Sequence, residues 1–296
     1  MYLTSAGYKQ LLERFISWAQ AEGDIRAAFV FGSRARRDRS ADEWSDLDLL
    51  FLAERPQFYM EATDWLLHMG QPWLSFLERT PDGGFERRVL FEGGLDVDFV
   101  PASVDGFRQQ LAGGLPELEA DIFRRGFTVL VDKDGLAEQI TAVQGQQPVP
   151  IPTSETEYLD VVNDFWFHTV WTAKHLRRGE LWWAKSCCDG YLKNLLLRML
   201  EFHALASQDP DFDTWMRGRF LETWADPRAV AALPQIFAHY EETDIWRALL
   251  ATMELFRWLA FETADILALG YPTYGDQRCT DLVHQHFASR PENRTP

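Results

Sequence analysis

The chain has 296 residues, a length that accommodates two domains of ordinary size. Apolar residues make up 46% of it and aromatic residues 14%, a composition that excludes a disordered protein. The formal net charge of −16 disfavours a nucleic-acid partner, because such a partner is bound mainly through cationic contacts to its phosphates. The same charge would attract a cationic small molecule, and it is equally typical of a surface that only maintains solubility.

Hydropathy and cysteine content bear on the compartment. No window approaches ~18 uninterrupted apolar residues, and residues 1–15 lack the basic and apolar regions of a signal peptide, so we expect neither a membrane partner nor secretion. Of the three cysteines, Cys187 and Cys188 are adjacent, and no C-x-x-C pair with zinc spacing occurs. Because this content suits a reducing compartment, we expect the protein in the cytoplasm.

The predicted elements of the first half mix helices with strands. Residues 8–20 repeat apolar side chains at helical spacing and predict an amphipathic first helix. Gly93 and Gly94 mark a hairpin turn between two strands. We therefore expect an α+β domain with a small mixed sheet flanked by helices. Further strands are predicted at 25–31, 45–53 and 127–135, and further helices at 57–69 and 103–112.

The composition changes at residues 145–156, where three prolines and several glutamines predict an extended connector. Ser154 and Glu157 form a capping box for the helix that follows. From there to about residue 269 the pattern is almost entirely helical. We expect a first domain over 1–147 and a second domain over 148–296, the latter an all-α helical bundle with a short C-terminal tail after Tyr274.

Two aspartates on the strand predicted at 45–53 suggest a metal site. Asp46 and Asp48 are separated by one residue, so the period of two sends both carboxylates to one face of the sheet. Adjacent negative charges need a compensating cation, and Mg²⁺ suits them because it prefers oxygen ligands and retains positions for phosphate and water. Taken alone, the pair is also compatible with two exposed strand aspartates that bind nothing.

The turn before that strand favours a phosphate ligand. Gly32 allows the backbone to approach a ligand closely, and Ser33 adds a hydroxyl beside main-chain N–H groups. Arg34 could meet a triphosphate as a planar donor. A third carboxylate is then expected on a neighbouring strand, where Asp96 and Asp98 share one face.

Six motifs in this order resemble those of the aminoglycoside 6-adenylyltransferases, a streptomycin-modifying family within the nucleotidyltransferase superfamily of DNA polymerase β type. They extend from residue 29 to residue 200 and therefore cover both expected domains. The motifs are F-V-F-G-S-R-A, D-L-D-L-L-F, R-V-L-F-E-G-G, V-L-V-D-K-D-G, N-D-F-W and N-L-L-L-R-M-L.

The resemblance implies that the first domain is a nucleotidyltransferase domain and that the second binds substrate. It implies transfer of AMP from ATP to a hydroxyl of an aminoglycoside, with release of pyrophosphate. Asp46 and Asp48 would hold Mg²⁺, and a third aspartate would complete the metal site and take the proton of the attacking hydroxyl. Counting from the flanking motifs leaves two alternatives for the third aspartate, Asp98 and Asp96, of which we prefer Asp98. The other of the two could face the cationic substrate.

In the second domain the resemblance implies that Asn163, Asp164 and Trp166 contact the aminoglycoside, although such tryptophans are more often core residues. Lys185 and Lys193 are candidates to reach the triphosphate, and solvated lysines are equally compatible with their positions. The alternatives to aminoglycoside transfer are another small molecule, AMP transfer to a protein, and an inactive nucleotide-binding module. The sequence leaves the oligomeric state open between monomer and dimer.

Overall fold

The structure is a computed structural model, which describes residues 3–36, 41–80, 83–144, 154–208 and 212–290. The chain divides into two compact units, Met1–Pro148 and Val149–Pro296, and each is described by itself. Helices in the described ranges are all too short or too polar to cross a bilayer.

The first unit is an α+β structure, as predicted from the sequence. Its helices in chain order are α1 (Leu3–Ala21), α2 (Pro56–Glu61), α3 (Val104–Gly113), α4 (Glu117–Arg125) and α5 (Leu136–Gln144). Its strands are β1 (Ile25–Phe31), β2 (Leu47–Ala53), β3 (Pro72–Arg79), β4 (Phe85–Phe91), β5 (Leu95–Ser103) and β6 (Thr128–Asp132).

The six strands form one mixed sheet in the order β3-β4-β5-β2-β1-β6. Strands β2 and β5 run parallel, whereas every other neighbouring pair is antiparallel. The predicted mixed sheet and the hairpin at Gly93 and Gly94 are confirmed. Strand β3 was not predicted, and the helix predicted at 57–69 is interrupted: α2 ends at Glu61 and a separate 3₁₀ turn covers Asp64–His68.

Both faces of the sheet are covered, which explains why β2 reads as a continuous apolar run. On one face, Phe15 and Trp18 of α1 pack against Phe51 of β2. On the other face, helices α3, α4 and α5 cover even-numbered positions such as Leu50 and Leu52. At the start of β2 and within β5 that second face carries Asp48 and Asp98 instead, so the alternation places acidic side chains beside an apolar layer.

In the second unit, the described residues form helices and the loops that connect them. Helix α6 begins where the capping box was predicted, since the Ser154 hydroxyl accepts a hydrogen bond from the Glu157 amide. A single π-helical turn, Cys187–Tyr191, separates α7 from α8. The helices are α6 (Glu155–Arg178), α7 (Leu181–Ser186), α8 (Leu192–Ser207), α9 (Leu221–Trp224), α10 (Pro227–Ile236), α11 (Glu242–Leu267) and α12 (Thr273–Ala288).

The prediction of a tail after Tyr274 is wrong, because helix α12 occupies most of that segment. Its Val283 is buried in the core of the second unit, and Asp276 accepts two hydrogen bonds from Arg257 of α11, each 2.8 Å long. Only a few apolar residues of α12 face that core, so its sequence carries a weak helical pattern.

Candidate active site

Three carboxylates from the first unit converge on one point. Ligand oxygens of Asp46, Asp48 and Asp98 all lie within 4.8 Å of one another. Asp48 and Asp98 are register partners in the parallel pair β2 and β5, so the sheet itself holds them side by side. Asp46 immediately precedes β2 and lies two residues before Asp48, which directs its side chain to the same face.

The electrostatics of this group favour a cation. Asp98 is only 5% exposed, and its burial raises the pKa to about 6, although a hydrogen bond from Arg88 opposes that change. The Nε of Arg88 donates to Asp98 Oδ1 at 2.9 Å, while its Nη1 donates to Glu78 Oε2 at 2.9 Å. Arg88 therefore shares its single charge between Asp98 and Glu78.

The donor set fits a divalent cation. Oxygen ligands from a few carboxylates are what Mg²⁺ prefers, and their number leaves coordination positions for phosphate oxygens and water. The carboxylate oxygens are already close together in the protein alone, so an ion would bind without a large rearrangement.

The predicted glycine–serine turn lies directly against this group. Gly32 has a φ of +65°, and a Cβ at this position would come within 2.0 Å of Asp48 Oδ2, so only glycine can occupy it. Ser33 follows in a short 3₁₀ turn, and its buried hydroxyl has no hydrogen-bond partner among the residues that the structure describes. An unpaired buried hydroxyl is costly, and a phosphate oxygen would satisfy it.

Arg34 bonds to the protein backbone. Its Nε donates to the carbonyl of Asp46 at 2.8 Å and its Nη2 to the carbonyl of Ser45 at 2.6 Å. The guanidinium also lies 3.7 Å from the centroid of the Tyr8 ring. The guanidinium N–H groups that we expected to contact a triphosphate therefore donate to main-chain carbonyls of the protein instead.

The two alternatives for the third carboxylate differ in position. Asp98 belongs to the carboxylate group, whereas the described position of Asp96 lies outside it. Burial raises the pKa of Asp96, and the charge of Asp46 adds to that effect, so the two side chains interact electrostatically. The backbone N–H of Asp96 donates to the Tyr8 hydroxyl at 3.1 Å.

The predicted substrate residues of the second unit separate into surface and core. Asn163 is exposed, and Asp164 is half-buried and accepts a hydrogen bond of 2.8 Å from the Tyr191 hydroxyl. His168 Nδ1 lies 2.6 Å from Asp164 Oδ1. Trp166 is 3% exposed and packs in the core beneath the guanidinium of Arg257, so its ring is not part of a surface site.

The two lysines are bonded within the second unit. Lys185 forms an ion pair with Asp189 and donates to the carbonyl of Ala238 at 2.6 Å. Lys193 donates to the carbonyl of Cys188 at 2.8 Å and to the hydroxyl of Thr252 at 2.9 Å, and burial lowers its pKa. Both amino groups therefore already have acceptors, and neither is included in the nucleotide site proposed below.

Arg88 is a site residue that the sequence reasoning missed, although a signal for it was present. A hairpin centred on Gly93 pairs residues at equal distances from the turn, and this rule places Arg88 opposite Asp98, as the structure does. No comparable signal identified Tyr8, because its partners lie far from it along the chain.

Several known proteins are similar to this chain. The aminoglycoside 6-adenylyltransferase of Bacillus subtilis is 24% identical over 281 residues, which cover 90% of this chain and 94% of that protein. The protein of the same name from Staphylococcus aureus is 21% identical over 276 residues, covering 90% of this chain and 94% of the relative. The one from Campylobacter jejuni is 21% identical over 298 residues, covering 94% and 95%.

Among solved structures, an aminoglycoside 6-adenyltransferase from Bacillus subtilis superposes with a TM-score of 0.45 at 18% identity, covering 94% of this chain and 98% of that one. The family model for streptomycin adenylyltransferase matches residues 7–286. The resemblance drawn from the six motifs is thereby confirmed. Because that match spans nearly the whole chain, the protein belongs to the streptomycin adenylyltransferase family and is a nucleotidyltransferase of the aminoglycoside 6-adenylyltransferase type.

Proposed function

We propose that this protein transfers AMP from ATP to a hydroxyl of a cationic aminoglycoside of the streptomycin kind, with Mg²⁺ as cofactor and pyrophosphate as leaving group. The single observation that carries the proposal is the convergence of Asp46, Asp48 and Asp98 beside the Gly32–Ser33 turn. Family membership selects the chemistry, since the curated relatives are named aminoglycoside 6-adenylyltransferases. We further propose that the modified hydroxyl is the one at position 6, as the names of these relatives state for them.

The chain's own residues account for most of the required steps. Asp46, Asp48 and Asp98 would hold Mg²⁺, which when bound neutralises phosphate charge and aligns the nucleotide. The Ser33 hydroxyl donates to a phosphate oxygen. A bond forms between the substrate oxygen and the α-phosphorus while the bond from that phosphorus to the bridging oxygen of pyrophosphate breaks. Asp98 accepts the proton that the hydroxyl loses.

Charge supports a cationic acceptor. The net charge of −16 attracts a polycationic sugar from solution, and electrostatic attraction of this kind raises the rate of encounter. In the second unit, we assign Asn163 and Asp164 to contacts with substrate amino or guanidino groups. The three cysteines are all unpaired, which agrees with the cytoplasm as the compartment we propose.

The test is incubation of the purified protein with ATP, Mg²⁺ and a panel of aminoglycosides, followed by mass spectrometric detection of an added AMP. We expect wild-type protein to modify at least one streptomycin-like compound. Asp46→Asn, Asp48→Asn and Asp98→Asn should each lower kcat about 1000-fold or more, because a metal contributes several kcal/mol to transition-state stabilisation.

The control is Asp105→Asn, which removes an exposed carboxylate of α3 and should leave the rate unchanged. Wild-type turnover in the Asp48→Asn variant would contradict the metal assignment. If no compound of the panel were modified and the AMP label appeared on a protein instead, the acceptor would be a protein and the aminoglycoside proposal would be wrong.

A further inference from the structure

We propose that Tyr8 and Arg34 are positioning residues that hold Asp46 in place for metal binding, an inference that rests on the proposed function. We call these two side chains the Tyr8–Arg34 bracket. The bracket joins α1, the turn after β1, the segment before β2 and strand β5 through side-chain contacts to backbone atoms. It assigns Arg34 a role other than the nucleotide contact expected from its sequence position.

Asp46 needs such support more than the other two carboxylates do. Asp48 and Asp98 lie within paired strands, where backbone hydrogen bonds to neighbours define their positions. Asp46 precedes the first residue of β2, so the sheet ladder does not include it. A ligand on such a segment must be fixed by side-chain contacts if it is to keep metal-binding geometry.

Arg34 provides this contact in a form that leaves the carboxylate available. Its Nε and Nη2 donate to the carbonyl oxygens of two consecutive residues, Asp46 and Ser45, at 2.8 and 2.6 Å. A planar guanidinium that spans two carbonyls fixes both the position and the direction of the backbone there. The bonds occupy main-chain oxygens of the segment, so the Asp46 side-chain oxygens can converge with those of Asp48 and Asp98.

Tyr8 in turn fixes Arg34. Its ring lies 3.7 Å below the guanidinium, and the side chain is 4% exposed, so the cation stacks on a buried aromatic face. The Tyr8 hydroxyl accepts from the backbone N–H of Asp96 at 3.1 Å and donates to the carbonyl of Asp96 at 3.3 Å. The ring that supports Arg34 is therefore anchored to β5, two residues before Asp98.

The bracket thus relates the segment that carries Asp46 to the strand that carries Asp98. Two contacts in series, one from Arg34 and one from Tyr8, set the distance between these two ligands. Residues that act in series should show non-additive effects, since loss of either one breaks the same connection. This expectation separates a positioning role from a direct contact between Arg34 and ATP.

The experiment measures Mn²⁺ binding to the protein without nucleotide, using the electron paramagnetic resonance signal of free Mn²⁺. We expect Arg34→Met and Tyr8→Leu each to weaken Mn²⁺ binding about 10-fold or more, as loss of groups that orient metal ligands does elsewhere. The double variant should bind Mn²⁺ no more weakly than the single variant that has the lower Mn²⁺ affinity. Arg34→Lys, which keeps the charge but cannot span two carbonyls, should also weaken binding.

The matched control is Arg14→Met, which removes an α1 arginine that, like Arg34, donates to a backbone carbonyl, in this case that of Met69 at 3.0 Å. It should retain wild-type Mn²⁺ affinity. Thermal unfolding identifies any variant that fails to fold. If Arg34→Met is such a variant, the milder change Arg34→Lys tests the positioning role instead.

Two kinds of failure are distinguishable. If wild-type protein bound no Mn²⁺, the metal site of the proposed function would be wrong. If wild-type protein bound Mn²⁺ and Asp48→Asn did not, but Arg34→Met and Arg34→Lys bound it normally, the positioning role would be wrong. A third outcome would indicate that Arg34 contacts the triphosphate directly. In that case the Arg34 variants would bind ATP more weakly at unchanged Mn²⁺ affinity, and Tyr8→Leu would bind both normally. Additive losses in the double variant would also contradict the bracket.

Discussion

At the scale of single residues, Asp98 has the environment with the clearest consequence for pH dependence. Its pKa of about 6 in the folded protein exceeds the value of about 3.9 for an aspartate in an unfolded chain. Between these two values the folded state binds more protons than the unfolded state, so the stability of the metal-free protein falls as pH rises. The loss is complete above the folded pKa and is about 3 kcal/mol, since each pKa unit corresponds to about 1.4 kcal/mol.

We therefore predict that Asp98→Asn stabilises the metal-free protein at pH 7.5 by about 1–2 kcal/mol, because it removes a buried charge. The gain should shrink as pH is lowered through 6 and vanish near pH 4, where the wild-type carboxyl is protonated. Urea unfolding in the presence of a chelator, repeated across this range, measures the difference. Glu92→Gln, at an exposed position in the turn after β4, is the control. A stability difference that does not change with pH would contradict the prediction.

At the scale of elements, the glycine–serine turn depends on packing against a distant segment. Gly126, just before β6, has a φ of +134°, and a Cβ there would lie 2.5 Å from the carbonyl oxygen of Ala35 and 3.0 Å from Cα of Arg36. Both atoms belong to the backbone, which cannot move aside as a flexible side chain does. The loop that carries Ser33 therefore has its position set by the absence of a side chain at Gly126.

Gly126→Ala should displace this loop and raise the KM for ATP about 10-fold, with a much smaller effect on the KM for the aminoglycoside. The control is Gly114→Ala, which introduces a side chain at a φ of +95° where no described atom lies within 4 Å of the added Cβ. Both variants carry backbone strain of about 1 kcal/mol or more, but only the first also meets the loop. Steady-state kinetics with each substrate varied in turn distinguishes them. Equal KM values for ATP in the two variants would show that packing against Gly126 does not set the position of the loop.

At the scale of the whole molecule, the two units have separate hydrophobic cores. The apolar clusters on the two sides of the sheet are built from the first unit, and the cluster that contains Phe165, Phe256 and Trp246 is built from the second. A unit with its own core can fold independently. The three carboxylates and the glycine–serine turn all belong to the first unit.

We predict that residues 1–148, produced alone, unfold cooperatively and bind Mn²⁺ with an affinity within about threefold of that of the whole chain, because all metal ligands are present. The fragment should not transfer AMP to an aminoglycoside, since the proposed substrate residues Asn163 and Asp164 are missing. Calorimetry, Mn²⁺ titration and the transfer assay test the three parts. Aminoglycoside modification by the fragment at the wild-type rate would show that Asn163 and Asp164 are not needed for the reaction.

The sequence predicted those features that depend on neighbours along the chain. The alternation at Asp46 and Asp48, the turn at Gly32, the hairpin at Gly93 and the cap at Ser154 are each set by a few consecutive residues, and the structure contains all of them. The order of the six motifs was sufficient to identify the family. Local patterns survive because backbone geometry and strand periodicity act over only a few residues.

Tertiary structure decided the features that depend on distant contacts. Asp96 and Asp98 share one face of a strand and are equivalent by periodicity, and only the register with β2 selects Asp98 as the partner of Asp48. Arg34 follows a phosphate-binding turn in sequence, yet its guanidinium bonds to a segment 11 and 12 residues away. Lys185 and Lys193 likewise bond to groups 53 and 59 residues away. Hydrogen-bond partners of long polar side chains are set by the packing of whole elements, and this information is not contained in any short stretch of the chain.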